Sequence, residues 1–96
     1  MTSGDALVFA TRSSSANYER MRITADGKIG IGTLASINAA ALLHLASTTK
    51  GFLPPVMTTT QKNAISSPPA GLVVYDSGLN KLCVYTGAAW ETITSL

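Results

Sequence analysis

Arg20-Met21-Arg22-Ile23-Thr24-Ala25-Asp26-Gly27-Lys28-Ile29-Gly30-Ile31-Gly32-Thr33 reads as two short strands joined by an Asp26-Gly27 turn. Asp-Gly supplies the positive φ values that a tight two-residue hairpin demands. Beyond the turn, Gly30 and Gly32 fall on one face of a period-2 strand, and Ile29 and Ile31 fall on the other. Glycines repeated on one strand face signal the close approach of another backbone. In a chain this small, a neighbouring subunit is the expected source of that backbone. Arg20 and Arg22, two residues apart, are expected to share a strand face.

On the N-terminal side, Leu7-Val8-Phe9-Ala10 is a short apolar strand candidate, and Arg12–Asn17 reads as a polar loop. On the C-terminal side, residues 34–42 are ambiguous between a helical turn and a loop, because Ala39-Ala40-Ala41-Leu42 has helical propensity. A strand is expected at 43–46. The paired prolines of Lys50-Gly51-Phe52-Leu53-Pro54-Pro55 exclude regular helix. Thr58 then reads as a helix N-cap, with Gln61 completing a capping box, so a short helix is predicted over Thr59–Ile65. The last third carries a weak internal repeat, Leu72-Val73-Val74-Tyr75-Asp76-Ser77-Gly78 against Leu82-Cys83-Val84-Tyr85-Thr86-Gly87. With Trp90-Glu91-Thr92-Ile93 it predicts a three-strand meander. Leu72 and Val74 lie on one face, Val73 and Tyr75 on the other, so both faces are apolar. The helix covers one, and the other needs a second cover. The expected organisation is therefore an N-terminal β-hairpin region over 1–46, a proline-containing linker over 47–57, and a helix-plus-meander lobe over 58–96.

Composition narrows the class. Charged residues make up 12% of the 96, about half the ~25% of an ordinary soluble domain. Ten Ser, 12 Thr, 13 Ala and eight Gly are nearly half the chain. A surface so poor in charge suits a chain largely covered by partners, and oligomerisation is the expected remedy for a small core. The net charge of +2 comes from scattered residues, without the basic stripe that nucleic-acid binding needs. No apolar run approaches the ~20 residues that span a bilayer, so no membrane insertion is expected. The polar start Met1-Thr2-Ser3-Gly4-Asp5 does not read as a secretion signal. A route to the cell exterior is expected only within an assembled particle.

Chemistry is sparsely represented, and no enzyme, cofactor or metal is expected. His44 is the sole histidine and Cys83 the sole cysteine, where zinc needs three or four ligands. A satisfied structural histidine is the favoured reading of His44. Cys83 sits in an apolar run, and the expectation is a small buried hydrophobe with an inert thiol. Neither a nucleophilic serine motif nor a phosphate-binding glycine loop is present. Glycosidase action needs paired carboxylates about 5–10 Å apart. Asp76 and Glu91 could approach each other across the meander, but Asp76 is more simply a turn residue and Glu91 a solvated one. Tyr75, Tyr85 and Trp90 remain as a candidate set, either core packing or a surface that stacks on sugars or anchors a protein. Trp90 is expected to close the core over the short helix.

The stretch Glu19-Arg20-Met21-Arg22-Ile23, its Asp26-Gly27 turn and Ile29-Gly30-Ile31-Gly32-Thr33 resemble an element of phage tail-fibre proteins and related prophage fibre proteins. The resemblance continues through residues 48–61, Gly71-Leu72-Val73-Val74-Tyr75-Asp76, Asn80-Lys81-Leu82-Cys83-Val84-Tyr85 and Ala89-Trp90. It departs from the family pattern at Leu34-Ala35-Ser36 and Val56. The resemblance implies a mainly β, intertwined homotrimer, with Gly30, Gly32, Ile29 and Ile31 as trimer-packing residues. It implies a structural virion component, a short fibre or spike segment projecting from the particle. The expected partners are other virion proteins and a host surface glycan or protein met through the C-terminal lobe. A metal shared by symmetry-related His44 side chains would require that threefold axis. Two alternatives stand beside this reading: a capsid decoration or cement protein, suggested by a short chain that starts at Met1, and a bacterial surface adhesin module.

Overall fold

The computed structural model describes residues 6–32 and 36–94. The chain divides into two units, Met1–Phe52 and Leu53–Leu96, each built around its own four-stranded sheet. As the sequence predicts, the fold is mainly β, with one short helix among the described residues.

In the first unit, β1 (Leu7–Ser13), β2 (Ala16–Ile23), β3 (Ile29–Ile31) and β4 (Leu43–Leu45) lie in that order across the sheet. β1–β2 and β2–β3 are antiparallel, and β3–β4 is parallel. The polar loop expected over Arg12–Asn17 shrinks to Ser14-Ser15, because Ser13 pairs directly with Ala16. Hydrophobic patterning finds the apolar start of β1 at Leu7–Ala10 and misses its polar end. Every β1 side chain is exposed, and ladder hydrogen bonds form there without burial of the polar residues.

The Asp26-Gly27 hairpin exists, but its turn is not the two-residue type. Thr24 N–H donates to the Lys28 carbonyl at 2.8 Å, and Gly27 N–H donates to the Thr24 carbonyl at 2.9 Å. These bonds enclose a three-residue loop, Ala25-Asp26-Gly27, in which only Gly27 has positive φ (90°). The Thr24 hydroxyl donates to Asp26 Oδ1 and accepts from Lys28 N–H, which fixes the longer geometry.

Residues 36–42 form a loop, closed by the Ala41 N–H bond to the Asn38 carbonyl; they contain no helix. The strand that follows was legible, its parallel pairing with β3 was not.

In the second unit, β5 (Val56–Met57), β6 (Val73–Asp76), β7 (Lys81–Tyr85) and β8 (Trp90–Thr92) are neighbours in that order. β6–β7–β8 is the predicted antiparallel meander. β5, unforeseen, adds a parallel edge. Pro55 has no N–H to donate, and it sits beside this edge strand, where its carbonyl accepts from Tyr75 N–H at 2.8 Å.

The helix α1 (Thr59–Asn63) has the predicted capping box. Gln61 N–H donates to Thr58 Oγ1 and Thr58 N–H donates to Gln61 Oε1. It stops two residues before the expected Ile65, its last turn tightened by the Ile65 N–H bond to the Lys62 carbonyl.

Candidate functional site

Register decides what each sheet face offers, since residues paired across strands point to the same side. In the first sheet, Leu7, Ile23, Ile29 and Leu43 are successive partners, as are Phe9, Met21, Ile31 and Leu45. Two complete rows of apolar side chains therefore cross all four strands on one face. Leu7, Phe9, Ile31, Leu43 and Leu45 are exposed large apolar residues. The row between them, Val8, Arg22, Gly30 and His44, points the other way. On that side Arg22 grips Glu19 through Nε–Oε2 at 2.6 Å and Nη2–Oε1 at 2.8 Å.

Arg20 and Arg22 do not share a face. The register shifts between Phe9 and Ala10, from the pair Phe9–Met21 to Ala10–Glu19, so Arg20 is the extra residue of a β-bulge. Its Nε donates to Thr11 Oγ1 at 2.7 Å, and its guanidinium lies 5.1 Å from the Tyr18 ring centre. Period-2 counting cannot anticipate a bulge.

The predicted glycine face is likewise divided. Gly30 is buried within β3, between Arg22 and His44. Gly32 lies past the strand end with φ +81°, and a Cβ there would overlap the Ala46 carbonyl oxygen. A backbone of this same chain therefore already approaches closely at Gly32. Ile29 and Ile31 occupy the apolar face described above. His44 Nδ1 accepts from the Asn38 N–H at 3.0 Å, which gives the ring a structural partner.

In the second sheet, Val74, Cys83 and Thr92 share one face with Asp76, Lys81, Tyr85 and Trp90. α1 packs on this side. Val74 and Cys83 are the buried hydrophobic residues among those described, and Lys62 and Asp76 are the buried charged ones. Asp76 is indeed a turn residue, its Oδ1 accepting from the N–H groups of Gly78 (2.8 Å) and Leu79 (3.0 Å). The same oxygen takes the Thr59 hydroxyl at 2.7 Å, and Oδ2 faces the Lys62 ammonium at 2.8 Å. Burial works to raise the Asp76 pKa. The Lys62 ammonium and the hydrogen bonds from Thr59, Leu79 and Gly78 outweigh it and hold the carboxyl down at about 2. The Asp76 contact raises the Lys62 pKa against the opposing effect of burial.

Sequence reasoning missed this ion pair. Thr59 at the first helical position and Lys62 three residues on were the available signal, since i and i+3 share a helix face.

The three candidate aromatics are not one set. Tyr85 and Trp90 meet edge-to-face with ring centres 5.3 Å apart, and Lys62 Nζ lies 5.6 Å from the Trp90 ring centre. Tyr75 points from the opposite face, beside Val56 and Leu82. All three are half-buried. That outer face also carries Val73, Val84 and exposed Glu91. Asp76 and Glu91 therefore project from opposite sides of the sheet, which removes the carboxylate pair a glycosidase would need. Cys83 is fully buried, as expected, although its basic neighbour is Lys62, 3.9 Å from Sγ.

A model of the phage tail-like trimerisation region matches residues 30–96. The chain belongs to the phage tail-like trimerisation family. That assignment bears out the fibre resemblance and places the chain among structural components of phage tails and fibres, with homotrimer formation as the family's shared property. The phage tail-like trimerisation region takes in β4, the whole second sheet and most of β3. The β1–β2 hairpin lies ahead of it. No curated protein and no solved structure matches the chain. Among the described residues, no helix is long and apolar enough to cross a membrane.

Proposed function

We propose that this chain is a segment of a short trimeric fibre or spike projecting from a phage particle, with Ile29 and Ile31 packing against other copies. What carries the reading is the mismatch between apolar surface and core. Among the described residues Val74 and Cys83 are the buried hydrophobic ones, whereas Leu7, Phe9, Leu43, Leu45, Phe52 and Leu53 are among many large ones left exposed. Such a surface is the mark of a subunit rather than of a free-standing domain. Gly30 contributes by adding no side chain between Arg22 and His44. Gly32 contributes through its own strand-end geometry.

The C-terminal sheet is the part we assign to contact with other virion proteins and with a host glycan or protein. Within it, Trp90 and Tyr85 serve as packing around Lys62, and Tyr75 belongs to the uncovered outer face.

Light scattering on the purified chain tests the trimer: three times the 10.0 kDa subunit mass is expected. A stable monomer at micromolar concentration would remove the reading. Labelled-antibody electron microscopy of particles then separates a projecting fibre from a capsid decoration, and binding of the purified trimer to host cells tests the contact.

A further inference from the structure

We propose that the β1–β2 hairpin, which precedes the matched trimerisation region, is itself part of the contact between copies of this chain. The inference rests on the trimeric reading above and extends it to residues 7–23.

Continuity of the apolar face carries it. Ile31, Leu43 and Leu45 lie inside the matched region, residues 30–96. Their rows run without a break onto Met21 and Phe9, and through Ile29 onto Ile23 and Leu7. Leu7 and Phe9, at 48% and 49% exposed, are as open as Leu43 at 52% and Leu45 at 43%. A contact that covered only the β3–β4 end would leave half of one continuous apolar surface in water.

The occupant is a second copy. The two rows contain no charged or polar side chain that would select a partner of different chemistry, and the family supplies self-association. The bulge marks where the contact ends. It turns Arg20 toward Thr11 and Tyr18, which by alternation lie on the same side as Phe9 and Met21. A cation and an aromatic at the margin of an apolar patch match the rim of a protein interface. The opposite face, with Val8 beside the Arg22–Glu19 ion pair, suits water.

The test uses the whole 96-residue chain with Phe9→Glu, Met21→Glu, Ile31→Glu and Val8→Glu. Mass is followed by light scattering over a dilution series, with circular dichroism to confirm folding. Phe9→Glu and Met21→Glu are expected to raise the dissociation midpoint about tenfold or more, as Ile31→Glu does, while Val8→Glu leaves it unchanged. Trimers of Phe9→Glu and Met21→Glu that dissociate like the parent, with Ile31→Glu disrupted, overturn the hairpin's role and leave the trimeric reading standing. A monomeric parent overturns both. Should the glutamate variants fail to fold, Phe9→Cys and Val8→Cys treated with a short bis-maleimide decide the matter. Cross-linked dimers through residue 9 but not residue 8 support the proposal. An uncross-linked trimer overturns it.

Discussion

Asp76 is the most constrained side chain among those described, and what it does follows from where its neighbours come from. Thr59 and Lys62 belong to α1, Gly78 and Leu79 to the turn after β6, so one carboxylate ties helix, strand and turn together. Removing one member of a buried pair strands the other charge. Lys62→Met should therefore cost about 3–5 kcal/mol in a chemical melt, and adding Asp76→Leu should recover part of that loss. The pH dependence has a definite sign. The folded Asp76 value of about 2 lies below the ordinary value of 3.8, so its contribution is complete above roughly pH 4 and disappears as pH falls toward 2. Lys62, raised above its ordinary value, gives a contribution complete below about pH 10 and lost as pH rises through its folded value. Thermal melts across both windows check the two limbs; a flat acid limb in the wild type, or one unchanged in Lys62→Met, would show that the ion pair contributes little.

At the scale of single elements, glycine separates two kinds of constraint. Gly27 and Gly32 both have positive φ, but space is open around Gly27 and filled by the Ala46 backbone at Gly32. Gly27→Ala should cost about 1–2 kcal/mol, the strain of a left-handed residue. Gly32→Ala adds a clash with backbone that cannot swing aside, so its midpoint in denaturant should fall clearly further; equal midpoints would remove the close-approach argument. The elements also show what the sequence made readable. The capping box at Thr58 and Gln61, the meander and the strand at Leu43 each depend on neighbours within a few residues, where propensity and pattern act. The bulge at Arg20, the parallel pairing of β4 and the edge strand β5 depend on partners that pattern does not name. The exposed run Arg12–Ser13 was lost for another reason: it is strand without being buried, and burial is what periodicity detects.

For the whole molecule, a core that among the described residues amounts to Val74 and Cys83, beside many exposed apolar side chains, implies that stability and assembly are linked. If folding and trimerisation are coupled, the melting temperature rises with protein concentration by mass action. Melts over a hundredfold concentration range should show this rise, and a constant melting temperature would mean that each chain is stable alone. The apolar face was legible only in part. Ile29 and Ile31 were visible as one face of a strand from their spacing. The six residues that extend their rows across the sheet emerged only when register placed them side by side.

Register has one more consequence, and it concerns time. Every pairing of the first sheet lies between residues 7 and 45, so the last partner it needs is synthesised before any strand of the second sheet. Chains tend to fold N-terminal part first as they leave the ribosome. The apolar rows are then on display while the rest of the polypeptide is still being made. Ribosomes following one another along a single message would carry such surfaces close together, and copies could find each other before any of them is released.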